Sequence, residues 1–167
     1  MTRCLLDTNV VLDLILDRRP HAESAAALWD AAERKEFDAC VPAHGVTTVY
    51  YVVARARGAA HARRVMNDLV IVPSIAAVDG SILRRALALG WPDFGDAVCA
   101  VAAEAASCDL LVTRDPGGKG SPVLVVDPTT ALSLIRGGKR PDHVGERLAR
   151  AYRSRASGRV KRKHRRS

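Results

Sequence analysis

Short apolar runs alternate with longer amphipathic stretches along most of the chain, the pattern of strands separated by helices. Arg3 to Leu6 reads as a strand, and after Asp7-Thr8-Asn9 the residues Val10, Val11, Leu14 and Ile15 fall at helical spacing. His21 to Glu36 predicts an amphipathic helix, with Ala22, Ala25, Ala26, Trp29 and Ala32 on or near one face. Phe37 to Val41 follows as a short strand closed by Pro42. His44 to Arg57 mixes β-branched residues with tyrosines, which leaves helix or strand open on propensity, and the alternation favours a helix ended by Gly58.

Residues 59 to 68 suggest another helix, and LVIVP at 69 to 73 reads as a buried strand. Asp79 or Ser81 can cap a helix running to Leu89, where Gly90 stops it. Pro92-Asp93 opens a helix through Ala106; Asp109 to Thr113 and Val123 to Val126 are strands, and Pro128 to Ile135 is a short helix. Helices between strands imply a mostly parallel sheet covered on both faces, because parallel neighbours need crossover connections. Gly137-Gly138 marks the end of this unit. The expected organisation is a three-layer α/β/α domain over residues 1 to 136 and a tail over 137 to 167.

Charge separates the same two parts. Residues 1 to 138 hold 14 Lys or Arg against 16 Asp or Glu, a net charge of −2, whereas residues 139 to 167 hold 12 basic and 2 acidic residues, a net charge of +10. The final GRVKRKHRRS has almost no apolar content to offset its ordering entropy, so the sequence predicts a disordered basic tail when free. Lys161, Arg162, Lys163, Arg165 and Arg166 could bind phosphates, with affinity falling as salt rises; a solubilising tail is the plainer alternative. Residues 140 to 155 could form a basic helix without a clear apolar face.

Cys4, Cys40, Cys99 and Cys108 sit in apolar segments, form no C-x-x-C pair and accompany no His cluster. Reduced, buried thiols are the expectation. With no charged-then-apolar leader and no apolar run near the ~18 residues of a membrane span, the chain is expected to be a cytoplasmic protein without a membrane partner.

Asp7, Asp96 and Asp115 each lie where a predicted strand ends or a helix begins, so in one parallel sheet they would gather at its carboxyl edge. Converging carboxylates repel one another unless a cation or shared proton offsets them, which points to a divalent metal. Each acid also has a plainer role. Asp7 could cap the next helix, Asp93 with Asp96 resembles a capping box, and Asp115 precedes the turn-forming Pro116-Gly117-Gly118. A phosphoacceptor α/β domain would gather acids in the same way, but Lys119 lies in a Gly-rich turn rather than after a late strand.

The successive blocks LLDTNVVLDLILDR, VTTVYYVVAR, DFGDAVCAVAAEAASCDLLVTRD and SPVLVVDP resemble those of PIN domains, the nuclease fold of VapC-like toxins, over about residues 3 to 136. The resemblance implies a metal-dependent endoribonuclease, the toxin of a type II toxin–antitoxin pair, using Mg²⁺ or Mn²⁺ and acting as a homodimer with an antitoxin partner. By it Asp7, Asp96 and Asp115 are metal ligands, Asp93 an added or substituting acid, and Thr8, Asn9 and Thr48 belong to the site wall; Arg114, next to Asp115, could reach an RNA phosphate, with an exposed surface Arg the plainer alternative. Many PIN domains carry a Glu in the helix where Thr48 stands, and a related branch has one in its DFED motif, where this chain has Gly95. A PIN-fold RNA-binding protein of weak activity, anchored by its tail, is the alternative that these departures allow.

Overall fold

A computed structural model describes residues 1–115 and 120–137; the predicted turn at 116 to 118 and the basic tail lie outside the described residues. Five strands, β1 (Arg3–Leu6), β2 (Asp38–Pro42), β3 (Ser74–Ala76), β4 (Leu110–Val112) and β5 (Leu124–Val126), form one sheet in the order β3-β2-β1-β4-β5. Every pairing is parallel, with Cys4 opposite both Ala39 and Leu110 and Cys40 opposite Ser74.

Alternation along the strands builds the two faces. Cys4, Leu6, Ala39, Val41, Leu110 and Val112 point into one apolar cluster, which α1 (Thr8–Ile15), α2 (Ala22–Glu33), α3 (Ala43–Arg57), α4 (Ala59–Leu69) and α7 (Pro128–Arg136) cover. Leu5, Cys40 and Leu111 point the other way, against α5 (Gly80–Leu89) and α6 (Phe94–Ala105). Both faces are therefore buried, as a parallel sheet requires. Among the described residues no helix is long and apolar enough to cross a membrane.

Most predicted elements stand within a few residues of their expected bounds, but LVIVP does not form a strand. α4 runs on to Leu69, whose buried side chain closes the cluster beneath it, and Val70 and Ile71 lie exposed in the following turn. β3 begins only at Ser74. The Val70 and Val72 amides bond back to Met66 and Asp68 carbonyls, so the helix claims the backbone donors that a strand would need. In α2 the buried set is Ala22, Ala25, Leu28, Ala31 and Ala32, which adds Leu28 and Ala31 to the expected face and leaves Ala26 and Trp29 half-buried. α3 ends where Gly58, at φ 86°, takes a conformation that L side chains rarely adopt, and α4 starts on the next residue.

The order of the strands fixes where a site can lie. From β1 the chain builds outward through β2 and β3, then returns to add β4 and β5 on β1's other side. The connections therefore diverge between β1 and β4, and beyond the carboxyl ends of these strands is where open α/β sheets form their ligand crevice.

Candidate acidic site at the carboxyl edge of the sheet

Asp7 follows β1 directly, and its amide donates to the Val112 carbonyl at 2.9 Å, extending the β1–β4 pairing by one residue. It stands at the N-cap of α1, yet its carboxylate accepts no capping bond. Instead Thr113 Oγ1 donates to Oδ2 at 3.0 Å and Cys99 Sγ to Oδ1 at 3.6 Å. Burial, followed by the Asp7 charge, pushes the Cys99 thiol well up and keeps its proton in place. A 5% exposed carboxylate held by two side-chain donors and turned away from free helix amides has another task than capping.

Asp93 caps α6, accepting from the Asp96 amide at 3.0 Å. The capping half of the expected pair is thus present, while Asp96 sits in the first turn without returning a bond to Asp93's amide among its described contacts. Asp96 is the electrostatic centre of the group. Burial first, then the negative charges of Asp93, Asp7 and Asp115, push its carboxyl up to about 6. The other three predicted acids therefore all lie within electrostatic reach of Asp96, and burial together with their charges outweighs whatever the positive end of α6 contributes.

A raised acid pKa has a definite stability signature. Folded Asp96 holds its proton more tightly than unfolded Asp96, so stability is lost as pH rises through the interval between the ordinary carboxylate value and about 6. In metal-free protein, the denaturation midpoint between about pH 4.5 and 6.5 is expected to fall more steeply for the wild type than for Asp96→Asn. Parallel slopes for the two proteins would refute the shift.

Thr113 and Asp13 are part of the arrangement although the sequence reading passed over them. The buried Thr113 hydroxyl accepts from the Asp115 amide at 3.3 Å while donating to Asp7, so one side chain fixes the relation between two of the acids. Asp13, 1% exposed inside α1, accepts from Arg114 Nη1 at 3.0 and 3.3 Å and has Arg18 Nη1 at 3.9 Å. Arg114 thus ties the segment carrying Asp115 to α1 and spends its charge inside the protein. The signal was present for Asp13, an acid three residues after Val10 and between Leu12 and Leu14. Thr113 gave none, because a Thr at a strand end is ordinary.

His44, in the first turn of α3, is a further neighbour. Its Nε2 lies 4.0 Å from Cys99 Sγ and its Nδ1 is buried with no partner among the described residues. Burial pushes its pKa down and the Asp7 charge opposes that shift. Gly45 beside it lets α1 approach closely, since a Cβ there would meet Thr8 Oγ1 at 2.5 Å. Thr8 and Asn9 are half-buried in the first turn of α1, whereas Thr48 is exposed and its hydroxyl bonds back to the His44 carbonyl at 3.1 Å.

The PIN domain family model matches residues 3–116. The chain belongs to the PIN domain family. No curated protein sequence matches this PIN domain. Solved structures resemble it in fold: DNA-bound VapBC from Salmonella typhimurium at TM-score 0.60 and 14% identity, covering 77% of this chain and 99% of that one. FitAcB from Neisseria gonorrhoeae aligns at TM-score 0.59 and 21% identity over 75% and 98% of the two chains. VapC20 from Mycobacterium tuberculosis, a sarcin-ricin loop cleaving toxin, aligns at 0.55 and 15% over 65% and 86%.

The donor set of this PIN domain is chemically suited to a hard divalent cation. Every candidate ligand is a carboxylate, and oxygen-only sets favour Mg²⁺ or Mn²⁺ over softer metals. Burial comes first in pushing Asp96 up, and the carboxylate repulsion that adds to it is what a cation would relieve. Among the described residues no three His, Cys, Asp or Glu side chains close into a cage by themselves. An ion that keeps several waters and takes one or two carboxylates does not need one.

Proposed function

We propose that this PIN domain is a metal-dependent endoribonuclease, the toxin of a toxin–antitoxin pair, cleaving RNA at the acidic crevice beyond β1 and β4. The observation that carries the reading is the electrostatic convergence of Asp7, Asp93, Asp96 and Asp115 on one crevice, with Asp96 pushed up to about 6. Asp7 and Asp96 would be the central ligands of Mg²⁺ or Mn²⁺, with Asp115 completing the acidic set, and the ion would supply positive charge for a phosphodiester and acidify a water for attack.

The protein's own groups do the positioning. Thr113 and the protonated Cys99 aim the two oxygens of Asp7, and Asp93 fixes the first turn of α6 so that Asp96 faces the crevice. A crevice lined by carboxylates repels bare RNA, so phosphates need the cation and basic residues elsewhere to approach. The basic run Lys161 to Arg166 fits that second need, as an anchor of general rather than sequence-specific affinity. The structural neighbours are in several cases toxin–antitoxin assemblies, which supports an antitoxin as partner; the homodimer rests on the family resemblance.

The test is cleavage of a mixed RNA pool by the full chain with Mn²⁺, Mg²⁺ or EDTA. Cutting in either metal that EDTA abolishes is expected. Retained RNA binding with no cutting under any condition would replace this reading with that of an RNA-binding PIN protein, for which Thr48 and Gly95 stand where relatives carry acids.

A further inference from the structure

Away from the acidic crevice, two thiols meet behind the sheet. Cys40 on β2 and Cys108, in the segment entering β4, have their sulfurs 3.2 Å apart in the apolar cluster under α5 and α6. That is closer than non-bonded sulfurs usually rest, and a disulfide needs about 2.05 Å, so closing the bond takes a movement of about an ångström. Both chain segments are pinned: Cys40 in the β-ladder between Leu5 and Ser74, and Cys108 by its amide to the Ala103 carbonyl at the end of α6. The other two thiols are placed differently. Cys4 projects into the opposite cluster, and Cys99 is engaged with Asp7.

We propose that Cys40 and Cys108 are a redox-sensitive pair that hydrogen peroxide converts to an intramolecular disulfide, stapling β2 to the joint between α6 and β4. The Cys40 sulfur attacks one peroxide oxygen; the O–O bond breaks, water leaves and Cys40 becomes a sulfenic acid. The Cys108 sulfur then attacks the Cys40 sulfur, the S–S bond forms, and a second water departs with the Cys108 proton. The two sulfurs together lose two electrons and the peroxide gains them.

The surroundings select both partner and oxidant. Either thiol can donate across the contact, and the Cys40 thiol is lowered by that contact and by the Arg3 guanidinium against the opposing effect of burial, which favours Cys40 as the nucleophile. Arg3 lines a cavity of about 380 Å³ with Asp38, Ala39, Ser107 and Asp109, the chain neighbours of both cysteines. Cys40 is 0% and Cys108 7% exposed, so a reagent must be as small as peroxide to reach them without unfolding.

The full chain, treated with peroxide, is denatured, alkylated without reductant and mapped by peptide mass spectrometry. The expected result is a Cys40–Cys108 cross-linked peptide, two of the four thiols alkylated, and a melting temperature raised by about 5 °C that dithiothreitol reverses. Four alkylated thiols, a cross-link involving Cys4 or Cys99, or sulfinic acid at Cys40 without a cross-link would each overturn it. Mapping the wild type avoids dependence on a variant that fails to fold, and Cys4→Ala is expected to keep the cross-link.

Discussion

Asp7→Asn and Asp96→Asn are each expected to lower RNA cleavage by about 100-fold or more, which corresponds to about 2.7 kcal/mol of lost transition-state stabilisation. Asn matches Asp in shape and still offers an oxygen to the Thr113 hydroxyl, so the exchange removes charge while sparing the packing. Stability should respond in the opposite sense to activity. The carboxylates repel one another, and removing one relieves the rest, so the metal-free variants should melt no lower than the wild type at neutral pH. Asp93→Asn separates capping from charge, because Asn caps a helix about as well as Asp. Cleavage assays beside melting curves check all three. Full activity in folded Asp7→Asn would remove the crevice from consideration as the site of cutting.

Arg114→Ala is expected to destabilise the protein by about 3 kcal/mol, the lower end of the usual cost of stripping one partner from a buried ion pair. Among the described residues Asp13 would keep only Arg18, at 3.9 Å, and a carboxylate 1% exposed cannot recover its hydration. Arg114 itself is 29% exposed, which is why the cost stays at the lower end. The melting temperature should fall by about 10 °C. Pairing the change with Asp13→Leu should recover much of the loss, since the uncompensated charge disappears with it. An Arg114 that serves RNA alone would give the reverse pattern, weakened binding with an unchanged melting temperature, and calorimetry distinguishes the two.

Much of the fold was legible because the apolar periodicities of strand and helix differ and each block carried its own punctuation. Of the two caps read for α5, Asp79 is the one that starts it and Gly90 ends it, and Asp127, whose carboxylate accepts from Thr129 and Thr130 amides, bounds α7. The failure at LVIVP has a local cause. A short apolar run satisfies a strand, a helix end or a turn equally well, and an edge strand buries only part of its length, so apolar density did not mark β3. The site divides in the same way. Acids at strand ends could be found one by one, but Asp7 without a capping bond, the Thr113 bridge and His44, with a nitrogen unpartnered among the described residues, depend on segments far apart in the chain.

By itself the sequence determined the alternation of elements, the parallel sheet that alternation demands and the acids at its edge, because all of these follow from local spacing and connection length. Only the tertiary structure decided which carboxylates share a field, that Arg114 answers Asp13, and that Cys40 meets Cys108. Those pairings depend on strand order. With β1 placed between β2 and β4, residues about 70 to 110 positions apart become neighbours, and desolvation and Coulomb forces act over ångströms whatever the separation along the chain.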